Sequence, residues 1–253
     1  MKSALRRANG LELPEKTSDT SAGKPCELIL MKYLGEKIRN NTENILILLF
    51  AFIWNQSVYS GARRIAETWH HFNMTTPIDT RIPFVPWTVS IYLGCYAFWI
   101  INYCLCAAQP KPERDRFFCA DIMAKGICFI FFLLIPTTNI RPEITGSNIW
   151  ETLVRFIYRM DAADNLFPSI HCLVSWLCWT GVRKRSELPF IYRCFSLTAA
   201  LAVCISTLTV KQHVIPDVIA GILIAEACYF LSGFPEIRRY YSSFISFLYS
   251  LIT

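Results

Sequence analysis

Six apolar segments account for most of the chain and limit what it can fold into. They lie at residues 44–60, 87–108, 117–136, 169–182, 190–210 and 214–232. Five of them are 17–22 residues long, enough for an α-helix to cross a hydrocarbon core about 30 Å thick. The fourth segment is shorter, and Pro216 and Asp217 interrupt the sixth. The segments predict an all-α fold, a six-helix integral-membrane bundle.

The composition supports a membrane protein over a soluble one. Apolar residues make up 53% and charged residues 17% of the 253, against about 45–50% and 25% in soluble domains. The net charge of +6 is spread over several loops, whereas a nucleic-acid partner would require clustered positive charge on one face. The expected partner is therefore the lipid bilayer, with no nucleic acid; the sequence identifies no protein partner.

The sequence predicts one helical bundle with a flanking segment at each end. Residues 1–43 form a polar tail with eight Lys or Arg and no apolar run typical of a secretory leader. Residues 44–235 form the six-span membrane domain, and residues 236–253 a C-terminal cytoplasmic or interfacial segment. If the tail is cytoplasmic, the cytoplasmic side holds seventeen Lys or Arg and the opposite side seven. The positive-inside rule then predicts that both termini are cytoplasmic.

The connection between spans three and four, residues 137–168, contains a further helical pattern. In "NIWETLVRFIYRM" the apolar residues recur at helical spacing. They are Trp150, Leu153, Val154, Ile157 and Tyr158. The pattern predicts either an interfacial amphipathic helix or an ordinary helix packed on the bundle.

The eleven cysteines do not suggest a disulfide framework or a metal centre. Ten lie in or beside the apolar segments, without the spacing of a zinc site, so we interpret them as small apolar filler. His70, His71, His171 and His213 fall on one side of the predicted bundle, which leaves a metal-binding or transport protein as an alternative. The adjacent His70 and His71 argue against it, because neighbouring residues cannot both face inward from a helix.

The predicted topology brings three polar groups to one face of the membrane. Span four starts at "PSIH", span six starts near "HVIPD", and "NIRP" follows the end of span three. These three ends meet on the extracytoplasmic side if the termini are cytoplasmic. We therefore expect His171, His213 and Arg141 at one level.

The "FPSIH" segment has the features of an anion site at a helix start. We place Pro168 in the first turn, where its missing N–H needs no partner, and Ser169 beside free backbone N–H groups. Such a helix start favours phosphate or another oxyanion. His171 would lie close enough to exchange a proton with a group attached to that anion.

The "KQHVIPD" segment pairs a histidine with a carboxylate. His213 and Asp217 are four residues apart, which predicts that they lie on one helix face, with Pro216 in the first turn. An aspartate that holds one ring nitrogen leaves the other free to act as a nucleophile or a base. This spacing is common by chance, and His171 and Asp217, each taken alone, are equally well explained as structural residues at helix starts. The convergence of the three groups favours function.

Together, "NIRP", "FPSIH" and "KQHVIPDVIAG" resemble the type 2 phosphatidic acid phosphatase superfamily, which includes lipid phosphate phosphatases and sphingolipid synthase-like phosphotransferases. The resemblance covers roughly residues 79–232, with "IDTRIPFVP" as a weaker upstream match. It implies that His213 attacks phosphorus, that Asp217 supports it, and that His171 protonates the leaving oxygen. It also implies that Arg141 and Ser169 bind phosphate, and that the chemistry needs no metal or cofactor.

Two positions depart from the family's pattern. The resemblance implies a lysine seven residues before Arg141 and an arginine six residues before His213, where this chain has Leu134 and Thr207. Lys211 is a candidate substrate-binding replacement. Lys125 is too far along its helix from Arg141 for that role, and we expect it to pair with Asp121 on the same helix.

The resemblance implies an integral-membrane lipid phosphate phosphatase that acts through a phosphohistidine. We expect a lipid phosphate substrate, the plasma membrane of a bacterium, and an active site on the extracytoplasmic face. The alternatives are a phosphotransferase that passes a phospho-headgroup to an alcohol or a ceramide-type acceptor, and a non-catalytic or metal-binding membrane protein.

Overall fold

The structure is a computed structural model that describes residues 42–251. The predicted basic tail lies outside these residues except for its last two positions. The described chain is almost entirely α-helical, with one parallel pair of two-residue strands. The elements are α1 (Thr42–Ala66), β1 (Phe72–Asn73), α2 (Val89–Ala107), α3 (Lys111–Leu134), β2 (Thr137–Thr138), α4 (Ile149–Met160), α5 (Ile170–Val182), α6 (Phe190–Thr209), α7 (Ile215–Leu231) and α8 (Pro235–Ser250).

Each of the six predicted segments coincides with a helix, which confirms the all-α bundle. Within residues 42–251, four helices are long and apolar enough to cross a membrane: α1, α2 with the short 3₁₀ turn before it, α3 and α6. The pair α7 and α8 counts as a fifth, although the two are bent by 91°. Helix α5 has only 13 residues, about 20 Å at 1.5 Å per residue. The lengths thus support four or five spans, and the count of six stays a prediction.

Helix α4 forms where the periodic pattern predicts it. The Asn148 side chain accepts from the Glu151 backbone N–H at 3.0 Å, and Glu151 accepts from the Asn148 N–H at 3.2 Å, so a capping box starts the helix. Val154 and Ile157 are buried against Val89 of α2. The described contacts show that the helix packs on the bundle, and its position at the membrane interface stays a prediction.

Helix α5 lies at the centre of the bundle and packs against α2, α3, α6 and α7. Leu173, Leu177 and Cys178 are fully buried, and the apolar surface that they remove from water or lipid holds the helix in place by close packing. Helix α7 approaches the start of α5 closely at Gly221, where an added Cβ would lie 2.7 Å from the Ser169 carbonyl oxygen. The absence of a side chain at this position lets the starts of α5 and α7 meet.

Polar contacts join the ends of three helices on one side of the bundle. The Ser169 N–H donates to the Asp217 carbonyl at 3.1 Å. The Thr137 hydroxyl oxygen accepts from the backbone N–H groups of Leu166 and Phe167. Asn139 donates to the Lys211 carbonyl at 3.0 Å. The end of α3, the start of α5 and the loop before α7 therefore meet, as the topology predicts.

Two further predictions about the bundle are confirmed. Lys125 pairs with Asp121 at 2.9 Å within α3, and both side chains are buried. All ten cysteines in the described part of the chain are free, and most are buried, as expected of small apolar side chains.

Candidate active site

The start of α5 is capped by Ser169, whose side-chain oxygen accepts from the Cys172 backbone N–H at 3.3 Å. Pro168 precedes this cap, so its predicted place in the first turn is wrong by two positions. The cap requires Ser169 itself to be extended, with φ −70° and ψ 112°, and the helix starts only at Ile170. His171 is therefore the second helical residue and sits at the positive end of the α5 dipole.

His213 lies in the loop before α7, and Asp217 in the first turn reaches back to it. The distance from His213 Nδ1 to Asp217 Oδ2 is 3.2 Å, and the same oxygen accepts from the Val214 backbone N–H at 3.0 Å. The prediction that both residues lie on one helix face is wrong for His213, because Val214 is extended and α7 starts after it. Pro216 stands in the first turn, as predicted.

The two histidines face each other although they are 42 positions apart in sequence. Their ring centroids are 5.9 Å apart. His171 stacks on Tyr92 at 4.6 Å, with Trp99 at 5.4 Å on another side. Trp99 is itself fixed by a hydrogen bond to Ser175 at 2.8 Å. His171 Nε2 is buried and makes no hydrogen bond within the protein, so it is free to serve a substrate atom between the rings.

Arg141 is bound mainly by backbone oxygens. It donates to the carbonyl of Asp161 at 2.6 Å and to that of Ala162 at 3.3 Å, and its guanidinium lies 4.6 Å from the centre of the Tyr158 ring. It also donates to the side chain of Gln212, the neighbour of His213. Arg141 thus connects the loop before α5 to the loop before α7, and its role in phosphate binding stays a prediction.

Lys211 lies on the other side of His213. Its amine donates to the carbonyls of Asp79 and Ile82, at 2.9 and 2.6 Å. Both Lys211 and His213 line a cavity of about 500 Å³ that also contains Asn139. In this geometry Lys211 holds the segment before α2, and its contribution to substrate binding stays a prediction.

Leu134 and Thr207 stand where the resemblance implies a lysine and an arginine, and neither side chain carries a charge. Leu134 ends α3 and is 73% exposed. Thr207 is fully buried, and its carbonyl accepts from the backbone N–H groups of Gln212 and His213 at 2.9 and 3.1 Å. Thr207 therefore shapes the His213 loop through its backbone, where the resemblance implies a charged side chain.

A cavity of about 510 Å³ opens from the histidines towards α1 and α4; we call it the histidine cavity. Its lining includes His171, His213, Tyr59, Arg63, Tyr92, Asp161, Asp164 and Asn165. An adjoining cavity of about 340 Å³, the apolar cavity, lies between α1 and α2 and is lined by residues such as Leu48, Phe52 and Ile100. The two cavities share Asn55, Gln56, Tyr96 and Trp99. The histidine cavity, which contains the charged and histidine side chains, therefore adjoins a cavity lined mainly by apolar residues.

Burial and neighbouring charges shift the pKa values of three side chains in the loops around the histidines. Burial disfavours the charged form of His213, but the hydrogen bond to Asp217 and its negative charge outweigh burial and raise the pKa of His213 above its ordinary value. Burial raises the pKa of Asp164, against the opposing charge of Arg63. Burial also lowers the pKa of Arg141. Asp217 thus favours a basic His213.

Several residues of the site could not be recognised as site residues from the sequence. Tyr92, Trp99 and Tyr59 belong to apolar helices in which aromatic residues are ordinary. Asp79 lies in the weaker upstream match and is buried, where its carboxylate accepts from the Ile215 N–H at 2.8 Å. Gln212 is adjacent to His213 in sequence, and its position beside a candidate nucleophile was the available signal.

The alternative of a metal site has no support in the arrangement of the side chains. Within residues 42–251, no three His, Cys, Asp or Glu side chains are grouped so that they could hold a metal ion. His70 is exposed, and His71 Nδ1 contacts the Trp69 carbonyl at 2.8 Å.

Residues 108–233, about half of the chain, match the model of the PAP2 superfamily. This segment runs from the start of α3 to the end of α7, includes every predicted site residue, and belongs to that superfamily. Superfamily members are phosphatases or phosphotransferases, so the chain is an enzyme of that broad class. No curated protein and no solved structure matches the chain.

Proposed function

We propose that the protein transfers the phosphoryl group of a lipid phosphate, in the first instance to water, through a phosphohistidine at His213. The observation that carries this proposal is the pair of imidazoles 5.9 Å apart in one cavity, with Asp217 on one of them. One ring has a carboxylate partner and a free nitrogen for attack, and the other has an unpartnered nitrogen for proton transfer.

The first step joins His213 to phosphorus. If Nδ1–H donates to Asp217, the lone pair on Nε2 is available to attack phosphorus, forming an N–P bond as the P–O bond to the lipid breaks. His171 gives its proton to the departing oxygen. The Ser169 helix start and Arg141 favour the negative charge of the phosphoryl group.

The second step releases the group. A water molecule attacks phosphorus, His171 takes its proton, the N–P bond breaks, and the electron pair returns to His213. An alcohol that entered in place of water would make the enzyme a phosphotransferase with the same residues. The chemical steps are otherwise the same, so the shape of the histidine cavity decides the outcome.

The two adjoining cavities support a lipid as the substrate. An amphipathic molecule can place its phosphate between the histidines and its chain in the apolar cavity between α1 and α2. Burial of the chain contributes about 25 cal/mol for each Å² removed from water. A soluble phosphate would leave the apolar cavity without use.

The test is to trap the covalent intermediate. Purified protein is mixed rapidly with phosphorus-labelled lipid phosphate, and the quench avoids acid because phosphohistidine is stable to alkali and labile in acid. We expect label on the wild-type protein and neither label nor turnover in His213→Ala. In His171→Ala, a lipid analogue with a phenolic leaving group should still label, while an alkyl ester loses about 10²–10⁴-fold in rate.

Two results would contradict this mechanism. One is undiminished label in His213→Ala, and the other is turnover in a variant that never labels. Adding alcohols to the same reaction separates hydrolysis from transfer, because a transferase forms a new phosphate ester in proportion to the alcohol.

A further inference from the structure

The proposed phosphate site has fewer side-chain cations than the resemblance implies. Leu134 and Thr207 carry no charge, and both terminal nitrogens of Arg141 already donate to protein oxygens. Lys211 lines the other cavity beside His213, and its amine donates to two backbone carbonyls. A phosphate in the histidine cavity therefore needs a further partner among the charged side chains.

Arg63 is in the right place to be that partner. Among residues 42–251, it is the one Lys or Arg that lines the histidine cavity, which also contains His171 and His213. Arg63 belongs to the last turn of α1, where a cation suits the negative end of the helix dipole. An ionisable side chain of a membrane helix that faces a cavity is more often functional than one on the surface.

Helix α1 directs a whole polar face at this cavity. Gln56, Tyr59, Ser60 and Arg63 all line it, and their spacing of three and four residues puts them on one side of the helix. Gln56 also lines the apolar cavity, whereas Arg63 lines the histidine cavity without lining the apolar one. The charged end of this polar face therefore lies in the cavity that holds the two imidazoles.

The guanidinium of Arg63 has donors to spare. Its Nε pairs with Asp164 Oδ2 at 3.1 Å, and within residues 42–251 no protein oxygen binds its two terminal nitrogens, Nη1 and Nη2. These two nitrogens form the edge of the guanidinium that matches two phosphate oxygens. Since the pair of Arg63 and Asp164 is neutral as a whole, what it offers a phosphate is directed N–H donors and not net charge.

We propose that Arg63 binds the phosphate of the substrate through its terminal N–H groups, with Asp164 orienting its guanidinium, in place of a cation that the family's pattern puts on α3 or α6. This inference rests on the proposed function, in which the phosphate lies between His171 and His213. Arg63 stays protonated throughout, so it takes part in no bond making or breaking. The proposal adds to the site a residue of α1, a helix that lies outside the matched residues 108–233.

The kinetic test compares two neighbouring arginines of α1. Arg63→Met should lower kcat/KM for phosphatidic acid by about 10–100-fold, because it removes a charged, bidentate hydrogen bond to phosphate. Arg63→Lys keeps the charge without the planar fork, so we expect a smaller loss. Arg64→Met is the matched control, because Arg64 is exposed and does not line the histidine cavity. Equal losses in Arg63→Met and Arg64→Met would assign the effect to general surface charge and overturn the proposal.

A purely structural role for Arg63 makes a different prediction. If the ion pair only joins α1 to the loop after α4, Arg63→Met and Asp164→Asn remove the same contact and should weaken phosphate binding equally. Under the proposal the two variants differ. The oxygen of Asn can still accept from Arg63 Nε, and loss of the carboxylate removes a negative charge that repels phosphate. Asp164→Asn should therefore keep or raise the affinity for phosphate, and a loss equal to that of Arg63→Met overturns the proposal.

A binding measurement separates this inference from the proposed function. In the His213→Ala protein, which cannot form the intermediate, phosphatidic acid should raise the thermal unfolding temperature more than diacylglycerol with the same acyl chains. Adding Arg63→Met should remove most of this difference, whereas adding Arg64→Met should keep it. An undiminished difference with Arg63→Met overturns the Arg63 contact even if the wild-type enzyme labels and turns over. A lost difference without any label or turnover in the wild type keeps the Arg63 contact and overturns the covalent mechanism.

Discussion

At the scale of single residues, the contact between Asp217 and His213 determines how activity depends on pH. Burial alone would favour neutral His213, but the carboxylate at 3.2 Å outweighs burial and raises the pKa of His213. Attack on phosphorus requires the neutral imidazole. Activity is therefore lost as pH falls through this raised pKa.

We expect the acidic limb of the kcat/KM profile to have its midpoint above about 6.5, the ordinary histidine value. Asp217→Asn removes the charge that raises the pKa, so the midpoint should move to lower pH, and kcat should fall by about 10²–10⁴-fold by analogy with other His–Asp pairs. Both proteins are measured on the same substrate, so that its own ionisation cancels. An unchanged midpoint in Asp217→Asn would assign the limb to another group.

The contact between Asp217 and His213 also makes the free energy of unfolding depend on pH. Because the pKa of His213 is raised in the folded state, its contribution to the free energy of unfolding is fully present below about pH 6.5 and is lost as pH rises through the raised value. As pH rises through the raised pKa of His213, stability should therefore fall while activity rises. Thermal unfolding of the wild type and of Asp217→Asn as a function of pH tests the change in stability.

Single residues also show what the sequence predicts and what it does not. The spacing of His213 and Asp217 predicts their contact, because four residues bring side chains together both within a helix and across its start. Asp161, Asp164 and Asn165 follow no helical period. Their position in the cavity depends on the course of a loop, which no pattern in the sequence determines.

At the scale of elements, the junction between α5 and α7 controls the distance between the histidines. His171 is at the start of α5 and His213 just before α7, and the two starts meet at Gly221. The nearest atom to an added Cβ there is the Ser169 backbone oxygen. Since a backbone atom cannot rotate away as a side chain can, one helix must move.

Gly221→Ala should therefore separate the two helix starts. We expect a loss of about 1–3 kcal/mol in stability, as for other overpacked sites, and a fall of at least about tenfold in kcat, since small misplacements of catalytic groups are costly. Thermal unfolding and steady-state kinetics measure the two effects. Gly94→Ala is the matched control, because no heavy atom lies within 4 Å of its added Cβ. Wild-type turnover in Gly221→Ala would mean that the histidine spacing does not depend on this contact.

Seven of the eight described helices were predictable because long apolar segments and a periodic amphipathic pattern specify them directly, whereas α8 was not predicted as a helix. The residues at which these helices begin were harder to predict. Pro168 lies before the Ser169 cap, and His213 lies before α7, because side-chain and backbone capping bonds at Ser169 and Val214 decide where each helix begins. A shift of two residues at these starts moves a catalytic candidate from a helix into a loop.

At the scale of the whole molecule, the short α5 determines the depth of the site. Its 13 residues extend about 20 Å, roughly 10 Å less than the hydrocarbon core. Arg183, Lys184 and Arg185 follow its C-terminal end, where cations suit both the helix dipole and a cytoplasmic interface. If that end lies at the interface and α5 crosses the membrane, we expect His171 about 10 Å below the opposite surface, so a lipid phosphate would have to be drawn inward to this level.

This depth makes the crossing of α5 the critical point of the topology. If α5 and its recessed start complete a span, a reporter fused at residue 145 and one fused at residue 186 should lie on opposite sides of the membrane. The positive-inside rule predicts that residue 186 is cytoplasmic, because that orientation puts seventeen Lys or Arg on the cytoplasmic side and seven on the other. A fusion at residue 110, between α2 and α3, is the control and should report the same side as residue 186. If residues 145 and 186 instead both report the cytoplasmic side, α5 is a re-entrant helix, and the substrate phosphate would have to approach the histidines from the cytoplasmic face.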